Sequence, residues 1–119
     1  MTVLIADHDK DFRHAVKQAL AIRREIGIVW EAGDGEEAVE LVRRVQPDLV
    51  LMAMSMPRLD GLEATRLIKS KQPEVQVVMF SVHIDEVYRR AAIDSGADAF
   101  STSGECWTRL AGKARLLSW

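Results

Sequence analysis

The 119-residue sequence predicts a doubly wound α/β domain with a five-stranded parallel sheet, each strand followed by a helix. Three observations carry that expectation. Five short apolar runs alternate with stretches of helical spacing. The third run, DLVLMAM at 48–54, is apolar at consecutive positions, as a central parallel strand covered on both faces must be. Pro47, Pro73 and Gly96 fall at the boundaries between segments, where chain breakers belong.

The elements follow in order. The strand runs are TVLIA (2–6), GIVWEA (27–32), DLVLMAM (48–54), VQVVMFS (75–81) and ADAFS (97–101). After the first, Phe12, Ala15, Val16, Ala19 and Leu20 recur at i, i+3, i+4, i+7 and i+8, one face of a helix. Gly33-Asp34-Gly35 opens the second helix, with Asp34 as N-cap and Glu37 three residues on in capping-box style. Its stripe is Ala38, Leu41, Val42 and Val45, and Pro47 stops it. Leu62, Thr65 and the Leu67–Ile68 pair mark a third helix, ended by Pro73. Asp85 and Gly96 bracket a fourth, with the stripe Val87, Tyr88, Ala91 and Ala92. Trp107, Leu110, Ala111, Ala114 and Leu117 form a fifth. Right-handed crossovers then give an open sheet, with a functional crevice at the C-terminal strand ends where strand order reverses.

Composition narrows the function classes. Hydrophobic residues at 48% and charged residues at 29% suit one globular domain spanning 1–119, with any output domain lying outside it. A formal net charge of -2 argues against a nucleic-acid surface built on bulk basicity. No run approaches the ~20 apolar residues of a membrane span. Cys106 is the single cysteine, which precludes an internal disulfide and suits a reducing compartment. With no basic, apolar leader in MTVLIAD, a cytoplasmic location is expected.

The crevice gathers Asp7, His8 and Asp9 after the first strand and Ala53, Ser55 and Met56 after the third. Ser81, Val82 and His83 follow the fourth strand, and Phe100, Ser101, Thr102 and Ser103 the fifth. The blocks VLIADHDKDFR, PDLVLMAMSMPRLDG, VVMFSVH and GADAFSTS resemble, in order, those of the response-regulator receiver domain of two-component signalling. The resemblance implies a flavodoxin-like fold with strand order 2-1-3-4-5. It also implies an aspartate at the end of strand three that accepts a phosphoryl group from a histidine kinase. Acidic residues after strand one would hold a divalent cation, and a lysine after strand five would pair with the phosphoryl oxygens. Carried over by position, Asp7 matches the first acid and His8 falls on the second. Ala53 falls on the phosphoacceptor, Ser103 on the lysine, Ser81 on the switch hydroxyl and Phe100 on the switch aromatic.

A methyl group forms no mixed anhydride with phosphate, so chemistry at Ala53 is excluded. Ser55 and Asp9 lie near in sequence, but neither has a cation beside it once Ser103 replaces the lysine. Asp7 and Asp9 instead flank an imidazole able to carry the balancing proton, so Mg²⁺ binding is expected to be weak or lost. A transition-metal site from His8 and His83 lacks close ligand spacing and is not expected. Asp7-His8-Asp9 also resembles the DxD start of haloacid-dehalogenase-like phosphatases, the enzyme-class alternative, whose distant lysine, acidic pair and longer core this chain does not match.

The reading is therefore a degenerate receiver without enzymatic activity or cofactor. It signals through protein contacts on the face of helix four, strand five and helix five, with Tyr88, Arg89, Trp107 and Arg109 as contact residues. A homodimer through that face is expected, and no binding to membrane or nucleic acid. The alternative is a conventional regulator silenced by an engineered Ala53. His8 and Ser103 weigh against it, since neither is needed to silence the site.

Overall fold

A computed structural model describes residues 1–82 and 85–102. The elements are β1 (Thr2–Ala6), α1 (Lys10–Ala21), β2 (Ile28–Ala32), α2 (Gly35–Val45), β3 (Leu49–Ala53), α3 (Gly61–Lys71), β4 (Gln76–Ser81), α4 (Glu86–Asp94) and β5 (Ala99–Thr102). All strands pair in parallel, in the order β2-β1-β3-β4-β5. That is the expected order. The expected fifth helix, with Trp107 and Arg109, lies outside the described residues, as do His83, Ser103, Cys106 and Trp119. The chain steps from β1 to β2 in one direction and thereafter in the other. Right-handed crossovers accordingly put α1 on one face and α2, α3 and α4 on the opposite face.

Every residue of β3 is buried, as its unbroken apolar run requires. Val3 to Ala6 of β1 and Val77 to Phe80 of β4 flank it in the core. Val16 and Leu20 seal the sheet from α1, and Ala38, Leu41 and Val42 from α2. Each buried valine or leucine side chain among these contributes about 1.5–3 kcal/mol by leaving water. Three stripe residues differ from expectation: Ala15, Leu67 and Val87 are exposed. On α3 the buried face is Gly61, Ala64, Thr65 and Ile68, and Leu67 lies about 100° round the axis from Ile68.

At the N-terminal edge of the sheet two aspartates are wholly structural. Asp48 Oδ2 accepts from the Thr2 amide at 2.8 Å. Asp98 Oδ2 accepts from the Val77 amide at 2.8 Å and from Lys69 Nζ at 2.9 Å.

The opposite edge depends on the helix starts. Asp34 Oδ1 caps α2 by accepting from the Glu37 amide at 2.8 Å, while Glu37 Oε1 accepts from the Gly33 amide at 2.6 Å. Asp60 Oδ1 caps α3 through the Glu63 amide at 2.9 Å. Asp85 occupies the N-cap of α4 but accepts no capping bond among the described residues. Gly96 ends α4 at φ 104°, a left-handed conformation that favours glycine.

Gly61 follows its cap so tightly against β3 that an added Cβ would fall 2.0 Å from the Ala53 carbonyl oxygen. Gly61→Ala must push α3 off the end of β3, at an expected cost of about 1–3 kcal/mol in urea denaturation. Gly27→Ala is the control. Its Cβ meets nothing closer than Met1 O at 3.8 Å, and it should stay within about 0.5 kcal/mol of the parent.

Candidate functional site

Strand-order reversal at β1 and β3 opens a cleft of about 370 Å³ at the C-terminal edge of the sheet. The turn after β1 supplies Asp7, His8 and Asp9, and α1 supplies Phe12. Ala53, Met54 and Ser55 come from β3 and its loop, and Phe80, Ser81 and Val82 from the end of β4.

The floor is apolar. Ala53 is 6% exposed and stands beside Phe80 in the β3–β4 register. The Phe12 and Phe80 rings meet with centroids 5.4 Å apart, tilted by 40°. The Met54 amide donates to the Phe80 carbonyl at 2.9 Å, so pairing continues one residue past the strand and aims the loop across the cleft.

One wall is acidic. The Asp7 amide donates to the Ala32 carbonyl at 3.1 Å, and Arg13 Nη1 donates to the Asp7 carbonyl at 2.6 Å. Arg13 Nε is paired with Glu31 Oε1 at 3.0 Å, so that guanidinium is shared between Glu31 and the Asp7 backbone. Asp7 Oδ1 accepts from the Asp9 amide at 2.8 Å, and His8 Nδ1 lies 3.6 Å from the same oxygen. Burial pushes the Asp7 carboxyl above its ordinary pKa; the Asp9 amide and the nearby imidazole offset only part of this. Asp9 Oδ1 is spent as the N-cap of α1, accepting from the Asp11 amide at 2.9 Å and the Phe12 amide at 3.4 Å. The His8 side chain is largely exposed.

Mg²⁺ is ordinarily held by one or two carboxylates and several waters. One oxygen of Asp7 and one of Asp9 already serve backbone amides, and position 53 has no side-chain oxygen. No group of three His, Cys, Asp or Glu side chains that could hold a metal occurs among the described residues. Nor does any lysine or arginine line the cleft among them.

A second groove of about 350 Å³ continues from the first and shares Met54, Ser55 and Ser81 with it. Asp60 and Leu62 at the start of α3 form one bank, and Val87, Tyr88 and Ala91 of α4 the other.

The structure thus brings together Asp7, His8, Asp9, Ala53 and Ser81 at one cleft, with Ser55 on its rim. Phe100 is half-buried on β5, opposite Met79, and does not line it. Tyr88 sits in the adjoining groove. Arg89 is exposed on α4, its Nη1 3.6 Å from Glu86 Oε2. Phe12, Met54 and Phe80 were legible only as core residues; their place in the cleft follows from strand register.

Comparison with known proteins places this geometry. A family model described as the response regulator receiver domain matches residues 3–102. The transcriptional regulatory protein DegU of Brevibacillus brevis is 42% identical over 98 residues, covering 82% of this chain and 41% of that protein. The nitrate/nitrite response regulator protein NarL of Escherichia coli K12 is 34% identical, over 83% of this chain and 46% of its own. The chain spans less than half the length of these curated relatives. Among solved structures, the receiver domain of NarL from Mycobacterium tuberculosis superposes with a TM-score of 0.86 at 28% identity, covering 92% of this chain and 88% of that one. The response regulator domain of Thermotoga maritima CheB gives 0.82 at 30% identity, covering 99% and 91%.

The raised Asp7 pKa has a consequence for stability. The folded chain holds this proton to higher pH than the unfolded chain, so ionisation costs stability as pH rises above the usual carboxylate range. Asp7→Asn keeps an acceptor for the Asp9 amide and removes that charge. Thermal melts should show it more stable than the parent at pH 7, with the gain vanishing below about pH 4.

Proposed function

The chain belongs to the response regulator receiver domain family, and from that membership we propose that it is a degenerate receiver acting through protein contacts, independently of phosphorylation. One observation carries the reading. A buried methyl, Ala53, stands at the end of β3 among the residues that line the cleft. Phosphoryl transfer needs an attacking oxygen and fixed positive charge around the transferring group. Position 53 supplies no oxygen, Asp9 caps α1, and the described lining carries no lysine or arginine. Ser103 replaces the lysine that the family resemblance implies, and His8 the second acid.

Receiver domains are signalling modules rather than enzymes, and this one would transmit its state by shape and surface. Tyr88 and Arg89 on α4, with Trp107 and Arg109 beyond the described residues, are the proposed contact positions. A second copy, an output segment of the same protein, or a separate signalling protein would dock there. The names of the longer relatives, a transcriptional regulator and a nitrate/nitrite response regulator, support an output segment outside 1–119. Nucleic-acid binding would fall to that segment, since this domain carries a net charge of -2. The cytoplasm is the proposed location.

Intact-mass analysis after incubation with acetyl phosphate and Mg²⁺ tests the reading. The parent chain should gain no phosphoryl adduct, and a base-labile adduct on it would overturn the proposal. Ala53→Asp should also stay unlabelled, because Ser103 and His8 remain. Stoichiometric labelling of that variant would instead indicate a conventional receiver silenced at one residue. The same substitution buries a carboxylate beside Asp7 and should cost about 1–3 kcal/mol at pH 7 in urea denaturation, and less near pH 4.

A further inference from the structure

The cleft and the adjoining groove form one trench with an acidic end and an apolar length. We infer that this trench binds a small organic cation, a protonated amine carried on an aromatic body, as the ligand of a site that no longer takes a phosphoryl group. The inference rests on the degenerate-receiver reading, because an occupied phosphorylation site would fill the same space.

Charge complementarity selects the head group. Asp7, Asp9 and Asp60 lie along the trench, and no lysine or arginine lines it among the described residues. Asp7 and Asp9 each commit Oδ1 to a backbone amide, which leaves Oδ2 of both without a hydrogen bond among the described residues. A protonated amine donates to such oxygens in short, charge-assisted bonds.

The floor selects against a hydrated metal and for an apolar body. Mg²⁺ keeps several waters that need polar partners, whereas Phe12, Ala53 and Phe80 offer hydrocarbon. An aromatic ammonium would set its ring against those surfaces while its charge meets the Asp7 and Asp9 carboxylates. Beyond Ser55 and Ser81, the trench runs on between Leu62 and the Val87–Tyr88 face of α4. Its two parts, about 370 and 350 Å³, are each of the size at which pockets hold small ligands. A ligand lying across Ser81 would touch the start of α3 and α4 together, and so reach Tyr88, one of the contact positions proposed above.

NMR titration of the ¹⁵N-labelled 119-residue chain tests this with tryptamine, its neutral alcohol analogue tryptophol, and MgCl₂. Tryptamine should shift the amides of Met54, Ser55, Ser81 and Tyr88 saturably. Tryptophol should bind at least about tenfold more weakly, because it lacks the charge-assisted bond. Asp7→Asn should weaken tryptamine by about the same factor. Val87→Arg places a cation on the far bank at a residue 66% exposed, where the fold tolerates it, and should also weaken tryptamine. Equal binding of tryptophol and tryptamine, or no saturable response to tryptamine while MgCl₂ is also silent, would overturn this inference alone. Tight saturation of the same amides by MgCl₂ would overturn the degenerate-receiver reading beneath it.

Discussion

The loop after β3 is clamped between two Asp-Gly helix starts, and every position at the functional edge depends on that clamp. A Cβ on Gly35 would fall 1.8 Å from the Leu59 carbonyl oxygen, and one on Gly61 would fall 2.0 Å from that of Ala53. Asp34 and Asp60 cap the two helices at those glycines. Between them Arg58 adopts φ 69° and reaches back to α2, with Nε 3.6 Å from Asp34 Oδ2 and Nη1 3.8 Å from Glu36 Oε1. The Gly61 amide closes the loop onto the Met54 carbonyl at 2.8 Å. All of these contacts use backbone or residues other than 53. The loop is therefore held in place whatever side chain stands at position 53.

Aspartates at the two sheet edges show how environment divides one residue type into different roles. Asp48 and Asp98 meet strand amides, and Asp98 also meets the Lys69 ammonium, so their charge is consumed in joining strands. Asp7 sits at the other edge with one amide, an exposed imidazole and the more distant Arg13 charge for company, and burial outweighs what these return. A further carboxylate at position 53 would face Asp7 with no described cation between them. The methyl at 53 adds no such repulsion.

Much of this was legible in the linear pattern. The unbroken apolar run of β3 identified the central strand, because a parallel strand covered on both faces has no side to leave polar. Asp34, Asp60 and Gly96 act locally, through bonds or backbone angles within a few residues. Stripe membership was legible less well. Leu67 and Val87 share the spacing of buried neighbours yet face water, since the width of a helix's contact depends on how closely the next element packs.

The sequence by itself determined the order and type of the elements, the family blocks and the methyl at position 53. All of these are properties of single residues or of short-range spacing. Only the tertiary structure decided that Phe12 and Phe80 pave the cleft, that Arg13 is drawn to Glu31, and that the cleft continues into the groove beside α4. Those facts depend on strand register and crossover, which bring distant residues within a few ångströms and leave no mark in the periodicity of either segment.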